Sequence, residues 1–391
     1  MRKRHPVTVI SHNFPSARQP YLQTFIKDHV EALKKTDSFT PEFLCVHPKM
    51  IPFTQRWKNY KSPLLTDAPH RKISYFSVPV KKAPNFVASQ LCSAILSQVD
   101  SQENEILHLH WLYPAGIAIP KLKQAGFKCA LTIHGSDWFL NKDNPKLKKL
   151  YLKAIDAADK VFTSGPFLRD DIQQNIGSDK QVISLYNYID TEKFSPPAKN
   201  QKDKLKKDFN WDNEFIHVLT IANIRHEKGV DVLLEAISKT PENLHFHILG
   251  QQSSSKYVHS IKEKVEELNS KRNKITLYPP VPRDGLINYY HAADFYVLPS
   301  RSEGFNVSRL EALACGLPVV TTNTGGAEVI INSSNGMIVE PEVPHELAMK
   351  IEEMSQRFSH YDKQQLHTSI ADDFSLETFA QKLQEHYQKL I

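Results

Sequence analysis

The chain has 391 residues, room for about two to three domains of ~150 residues each. Its 40% hydrophobic and 24% charged content is that of a soluble globular protein, which excludes a disordered, collagenous or disulfide-stapled chain. The net charge of +6 conceals an asymmetry: residues 1–200 hold 28 Lys and Arg against 17 Asp and Glu, or +11, while residues 201–391 hold 21 against 26, or −5, so separate domains with different surfaces are expected.

Short runs rich in β-branched residues alternate with amphipathic stretches along almost the whole chain. In the first half the predicted strands are Val7–Ser11, Phe43–His47, Ile73–Val78, Ile106–His110, Ala130–His134, Lys160–Thr163 and Val182–Tyr186. Helical patterns fall between them at Tyr21–Lys35, Pro84–Gln98, Pro114–Ala125 and Lys146–Ala158. The Pro-, Lys-, Asn- and Gln-rich stretch Ser195–Lys207 reads as a linker. After it, strands are predicted near His217–Ile221, Leu244–Leu249, Ile275–Tyr278, Phe295–Leu298, Pro318–Thr321 and Met337–Val339, with a last helix from about Leu376 to Leu390. Repeated β-α alternation means mostly parallel sheets with helices on both faces. The expected domains are residues 1–195 and 208–370, with the helix of residues 375–391 packing back on the first.

Four dispersed cysteines, Cys45, Cys92, Cys129 and Cys315, form no CxxC or Cys/His cluster. This fits a reduced cytosolic compartment and gives no structural zinc. No apolar run approaches the ~18 residues of a membrane span. Only Val7-Thr8-Val9-Ile10 follows the charged start before Ser11-His12-Asn13, so no secretory signal is expected.

In open parallel sheets ligands bind outside the carboxyl ends of the strands, so two such sheets facing one another would hold a site in the cleft between them. Five of only 13 glycines lie within Gly304–Gly336, a mark of close backbone approach or positive φ. The segment Leu298-Pro299-Ser300-Arg301-Ser302-Glu303-Gly304-Phe305-Asn306-Val307 leads from a strand into a helix whose free amides would bind an anion. Glu303 would repel that anion and suits neutral hydroxyls beside it. Glu311 follows eight residues later, ~12 Å along a helix. Two carboxylates bracketing an anion site suit a diphosphate with hydroxyls on both sides, as in a sugar nucleotide. Set against this, an E-x7-E pair also arises when the second carboxylate sits on a solvated helix face.

Arg225 and Lys228 stand three apart in a strand-to-helix turn, where one can reach a phosphate. In the first half, Ile133-His134-Gly135-Ser136-Asp137 also follows a strand. There His134 can donate to a phosphate or sugar oxygen. Asp137 can accept from a hydroxyl, or Ser136 or Asp137 can cap a helix.

The order of these motifs resembles the retaining glycosyltransferases of family 4, with their two-domain GT-B fold. The resemblance runs from Val7 to about Val339 and is carried by HLHWLYPAGIAIPKL, LTIHGSDWF, LYNYIDTEKFSP, IANIRHEKGVDVLLEAI and HAADFYVLPSRSEGFNVSRLEALACGLPVVTTNTGGAEVI. The run HNFPSARQPYLQTFIKDHVEAL is similar to the branch serving teichuronic-acid and other bacterial surface-polysaccharide assembly. The resemblance implies two Rossmann-like domains facing across a cleft. Within it Glu303 would hold donor-sugar hydroxyls, the Gly304, Phe305 and Asn306 amides diphosphate or sugar oxygens, Glu311 the ribose and Lys228 the diphosphate. His134 would lie near the donor sugar and phosphate, Asp137 on the acceptor side, and Asp190 and Phe194 would play a structural part at the domain junction. Three positions depart from the family. Asn223 replaces an arginine, leaving Arg225 as a substitute among the donor-binding residues; Tyr188 replaces a glycine; and Asn13–Tyr21 lacks a glycine-rich loop, with Ser16, Arg18 or Gln19 in its place.

The implied reaction moves a sugar from a nucleoside diphosphate to a hydroxyl of a glycan or lipid-linked acceptor, with retention. A sugar-nucleotide epimerase or a non-catalytic partner subunit of the same fold are the alternatives. With no Asp-x-Asp at a strand end, neither metal nor cofactor is expected. No GxGxxG follows a strand, which disfavours nicotinamide chemistry, and charge alone does not make a nucleic-acid binder. Lys49, Arg56, Lys58, Lys61, Arg71, Lys72, Lys81 and Lys82, interleaved with Phe53, Trp57 and Tyr60, form a candidate surface for anionic membrane. A cytoplasmic enzyme peripheral to the inner face is therefore expected.

Overall fold

The computed structural model describes residues 4–12, 24–50, 71–78, 83–100, 105–177, 179–252, 256–271 and 274–391. Ser16, Arg18 and Gln19 lie outside the described residues, as do Phe53, Arg56, Trp57, Lys58, Tyr60, Lys61, Lys81 and Lys82 of the basic aromatic surface. Among the described residues no helix is long and apolar enough to cross a membrane. The chain divides into two compact units, Met1–Tyr186 with Glu377–Ile391, and Asn187–Leu376.

The first unit carries seven strands: β1 His5–Ser11, β2 Phe39–Met50, β3 Arg71–Ser77, β4 Ile106–His110, β5 Lys128–Ile133, β6 Lys160–Thr163 and β7 Val182–Ser184. They pair in parallel throughout, in the order β3-β2-β1-β4-β5-β6-β7. The second unit carries β8 Ile216–Ile221, β9 Leu244–Leu249, β10 Lys274–Tyr278, β11 Phe295–Leu298, β12 Val319–Thr322 and β13 Gly336–Val339. These are also all parallel, in the order β10-β9-β8-β11-β12-β13. Both are doubly wound α/β sheets, as the alternation predicts. Sheets covered on both faces need continuous apolar strands, and every residue of β4 and of β9 is buried. Strand order reverses between β1 and β4 and between β8 and β11, which makes the loops after these strands the places for ligands.

Two stretches differ from the sequence expectation. Within Ser195–Lys207, read as a linker, residues Gln201–Asp208 form a helix of the second unit. Its composition hides it, because its stability is tertiary: Lys202 and Lys206 both pair with the buried Asp294, at 2.6 and 3.3 Å. The pattern Pro114–Ala125 is a 3-10 turn, Gly116–Ala118, followed by a short helix, Ile119–Gln124. The final helix, Leu376–Gln388, lies from Glu377 onward with the first unit. There Lys35 pairs with Glu377 at 2.6 Å, and the fully buried Tyr387 packs edge-on against Phe39.

Candidate active site

In the second unit, the turn after β8 is shaped by two glycines at points of backbone contact. Gly250, after β9, lies so near the Ala222 carbonyl that a Cβ there would stand 1.9 Å from its oxygen. Asn223 Oδ1 accepts from Gln251 N at 3.1 Å, fastening the same turn to β9. His226–Lys228 then make one 3-10 turn that ends at Gly229 with φ +63°, where a Cβ would lie 2.1 Å from the Pro299 oxygen. Only glycine serves there. Helix Val230–Ile237 follows. The loop after β11 is tied to this turn from the other side. Arg301 N donates to Glu227 O at 2.8 Å, and the Arg301 guanidinium forks onto Asp231 at 2.7 and 2.8 Å and reaches His226 O.

These constraints bring Lys228 and Glu303 together. Lys228 Nζ donates to both carboxylate oxygens of Glu303 at 2.7 Å. Oε1 also accepts from Ser300 Oγ at 2.5 Å and Asn306 Nδ2 at 2.8 Å. The Glu303 side chain is 7% exposed, and that of Lys228 25%. Burial alone would raise the Glu303 carboxyl, but the Lys228 ammonium, the Ser300 hydroxyl and the Arg309 charge outweigh it and hold it below the usual carboxylate range. Gly325, at φ +53°, lies against Glu303 so tightly that a Cβ would stand 2.5 Å from that of Glu303.

Asn306 caps helix Val307–Ala314. Its Oδ1 accepts from Ser308 N at 2.8 Å. Among the described residues the Gly304 and Asn306 amides donate to no group of the chain, so the helix start presents free N–H groups of the kind that can receive an anion. The Phe305 side chain is buried, 5.9 Å from the Phe374 ring. Further along the helix, Glu311 accepts from Tyr290 Oη at 2.9 Å and pairs with Arg283 Nε at 3.2 Å. Phe194 is fully buried beside both partners, with Tyr290 edge-on at 6.3 Å and the Arg283 guanidinium 5.5 Å above its ring. Asp190 holds the turn before it, its Oδ1 accepting from Lys193 N at 3.0 Å. Arg225 is exposed, and among the described residues its side chain has no partner.

Sequence reasoning missed Arg309, Arg283 and Tyr290. Arg309 is wholly buried, donating to Thr324 O at 2.9 Å and Thr324 Oγ1 at 3.1 Å, while its Nε lacks a partner among the described residues. A charged residue on the helix that carries Glu311, two positions before it, was the available signal. Arg283 and Tyr290 had none, because they reach Glu311 from a separate helix, Arg283–Ala292.

In the first unit, His134 follows β5. Its Nε2 meets His110 Nδ1 at 2.9 Å, with the two rings stacked 5.1 Å apart. Burial, then the nearby imidazoles of His29 and His12, push it down to about 3, so it is neutral at pH 7. Asp137 sits inside the short helix Ser136–Phe139 and does not cap it. Its Oδ2 accepts from Leu112 N at 2.7 Å and its Oδ1 from His134 N at 3.2 Å, tying the loop after β4 to the loop after β5. Burial raises its carboxyl to about 6 against the opposing backbone N–H groups. Trp111, at φ +68°, packs 4.6 Å from the His134 ring.

Residues 1–193 match the family described as Glycosyltransferase Family 4, and residues 201–364 match Glycosyl transferases group 1. The chain is 27% identical over 303 residues to an uncharacterized glycosyltransferase of Methanocaldococcus jannaschii, covering 75% of this chain and 76% of that protein. It is 23% identical over 373 residues to a Bacillus subtilis protein assigned as the teichuronic acid biosynthesis glycosyltransferase TuaC, covering 92% and 90%. The crystal structure of Anabaena HepE in complex with UDP-glucose superposes with a TM-score of 0.72 at 15% identity, over 98% of this chain and 99% of that one.

Proposed function

Because the chain belongs to the glycosyltransferases of group 1 and family 4 and has the GT-B fold, we propose that it moves a sugar from a nucleoside diphosphate to a hydroxyl of a glycan or lipid-linked acceptor, with retention, in bacterial surface-polysaccharide assembly. The carrying observation is the Lys228–Glu303 pair beside the free amides of Gly304 and Asn306, where strand order reverses in the second sheet. The likeness to TuaC supports the pathway, and the UDP-glucose in HepE supports the ligand class.

In this reading the bond from the anomeric carbon to the diphosphate breaks, and a bond to the acceptor oxygen forms on the same face. The acceptor proton passes to the departing phosphate. Lys228 and the helix amides stabilise the negative charge that grows on the leaving group, the principal electrostatic need of such a step. Glu303 orients donor hydroxyls, Glu311 exchanges Arg283 and Tyr290 for the ribose, and Arg225 supplies a second cation in place of the one absent at Asn223. His134, neutral and held by Asp137 and His110, donates to a sugar or phosphate oxygen. The transfer uses no divalent cation. The enzyme works at the cytoplasmic face, against anionic lipid when its acceptor is lipid-linked.

The test is a thermal-shift screen with UDP-, GDP-, ADP- and CMP-sugars, since a bound donor stabilises by mass action, followed by NMR of the anomeric product. Stabilisation by one nucleotide class and a retained anomer are expected. Stabilisation by none, or an inverted product, overturns the reading. A donor changed without any acceptor points to an epimerase.

A further inference from the structure

We propose that the first unit binds one first-row transition-metal ion of the zinc type between His29, His108 and His110. His108 and His110 stand two apart on β4 and so project from the same face of the sheet. Their rings stack 4.7 Å apart at 11°. His29, from helix Thr24–Lys34, stands edge-on to both, at 4.5 and 4.9 Å. One ring nitrogen of each lies within 4.8 Å of the others, and all three residues are buried. Tetrahedral Zn–N bonds of about 2.0–2.1 Å place ligand atoms about 3.3 Å apart, so the rings close on the ion by up to about 1.5 Å.

The outer nitrogens are already tethered as metal-bound imidazoles require. With His108 Nε2 and His110 Nδ1 carrying the ring protons, the first donates to Thr132 Oγ1 at 2.6 Å and the second to His134 Nε2 at 2.9 Å. These tautomers leave lone pairs on His108 Nδ1 and His110 Nε2, and His110 Nε2 is buried with no partner among the described residues. Tyr387 Oη contacts His108 Nδ1 and lies 3.2 Å from His29 Nε2, bridging two of the nitrogens, and turns aside when the ion enters. Burial keeps all three imidazoles neutral, which is the ligating form.

The second buried trio, His217, His245 and His247, shares a partnerless nitrogen, His245 Nδ1, and an outer tether, His245 Nε2 to Thr276 Oγ1 at 2.8 Å, but its other two rings are turned toward each other. His217 and His247 bond each other at 2.9 Å in a chain from Asp212 O to Tyr278 Oη. Trp211 stacks 3.6 Å from His247, and Lys206 and Lys274 impose positive charge. The spacing of cysteines could not reveal the first trio, since the fold brings His29 to β4 from a distant helix. The ion is structural, joining that helix and the final helix to β4, and through His110 Nδ1 it adjoins His134, which the transfer proposed above also uses.

Chelator-stripped protein titrated with cobalt(II) chloride is expected to develop the intense visible bands of tetrahedral Co2+, saturating at one equivalent and bleached by zinc chloride. Zinc should also raise the Tm. His29→Gln should abolish the bands, and His217→Gln should leave them intact. Wild-type protein that gives no bands and no zinc-dependent rise in Tm overturns the proposal without reference to any variant. Bands lost on His217→Gln but kept on His29→Gln overturn it equally.

Discussion

Replacing Lys228 by Met keeps the length and apolar stem of the side chain and removes the charge that faces Glu303. The carboxylate, 7% exposed, then loses two charge-assisted bonds of 2.7 Å and keeps only Ser300, Asn306 and the Arg309 charge. Removing one partner of a fully buried pair costs about 3–5 kcal/mol. Because Lys228 is 25% exposed, solvent screens part of the attraction, and about 2–3 kcal/mol is expected at pH 7. In the wild type the lowered Glu303 pKa contributes stability above the unfolded value, lost as pH falls through the folded one. In the variant, burial prevails and the carboxyl rises, so protonation relieves it and the deficit shrinks from pH 7 toward pH 4. Urea titrations at the two pH values measure this. Glu303→Gln in the same chain should recover at least half the loss, since no buried charge is then abandoned. A deficit below about 0.5 kcal/mol at pH 7, which is the scatter of ordinary surface changes, or one that does not vary with pH, would refute the argument.

Glu303→Gln should lower kcat with little change in nucleotide affinity, whereas Glu311→Ala should weaken nucleotide binding through the lost ribose bonds. Calorimetry with free nucleoside diphosphate separates them, and unchanged affinity in Glu311→Ala removes the ribose assignment. Gly229→Ala should cost well over 2 kcal/mol, because its Cβ meets Pro299 O at 2.1 Å. Gly126→Ala, also at positive φ but with open space around it, should cost only about 1 kcal/mol; equal effects in urea unfolding would show that the contact carries no strain. Asp137, raised to about 6 by burial, contributes stability that is present below its unfolded pKa and lost as pH rises through 6. Wild type should therefore lose stability relative to Asp137→Asn between pH 4 and pH 7, and a difference that is flat or rises with pH contradicts the shift.

The strands were legible because burial on both faces leaves a continuous apolar signature: β4, β6, β9 and β11 begin and end at the residues predicted. The Glu303 loop was legible because glycines in a glycine-poor chain mark backbone contacts, and Gly325 against Glu303 is one of them. What stayed hidden depends on partners remote in sequence. Helix Gln201–Asp208 has one apolar residue, Leu205, and is held by Asp294. Glu311 takes its partners from another helix, and no spacing announces that pair. The histidines of β4 and β9 lie within strands that were legible, but their gathering into buried imidazole clusters depends on the folded sheets and on a distant helix.

The central claim is that a nucleoside diphosphate sugar binds the second unit through Lys228 and the start of helix Val307–Ala314. Isothermal titration of the full-length protein with the nucleotide that stabilises it, against Lys228→Met, tests this most directly. One saturable site is expected in the wild type and affinity weakened at least tenfold in the variant, the effect of losing about 1.4 kcal/mol. Equal affinity in the two folded proteins would contradict it.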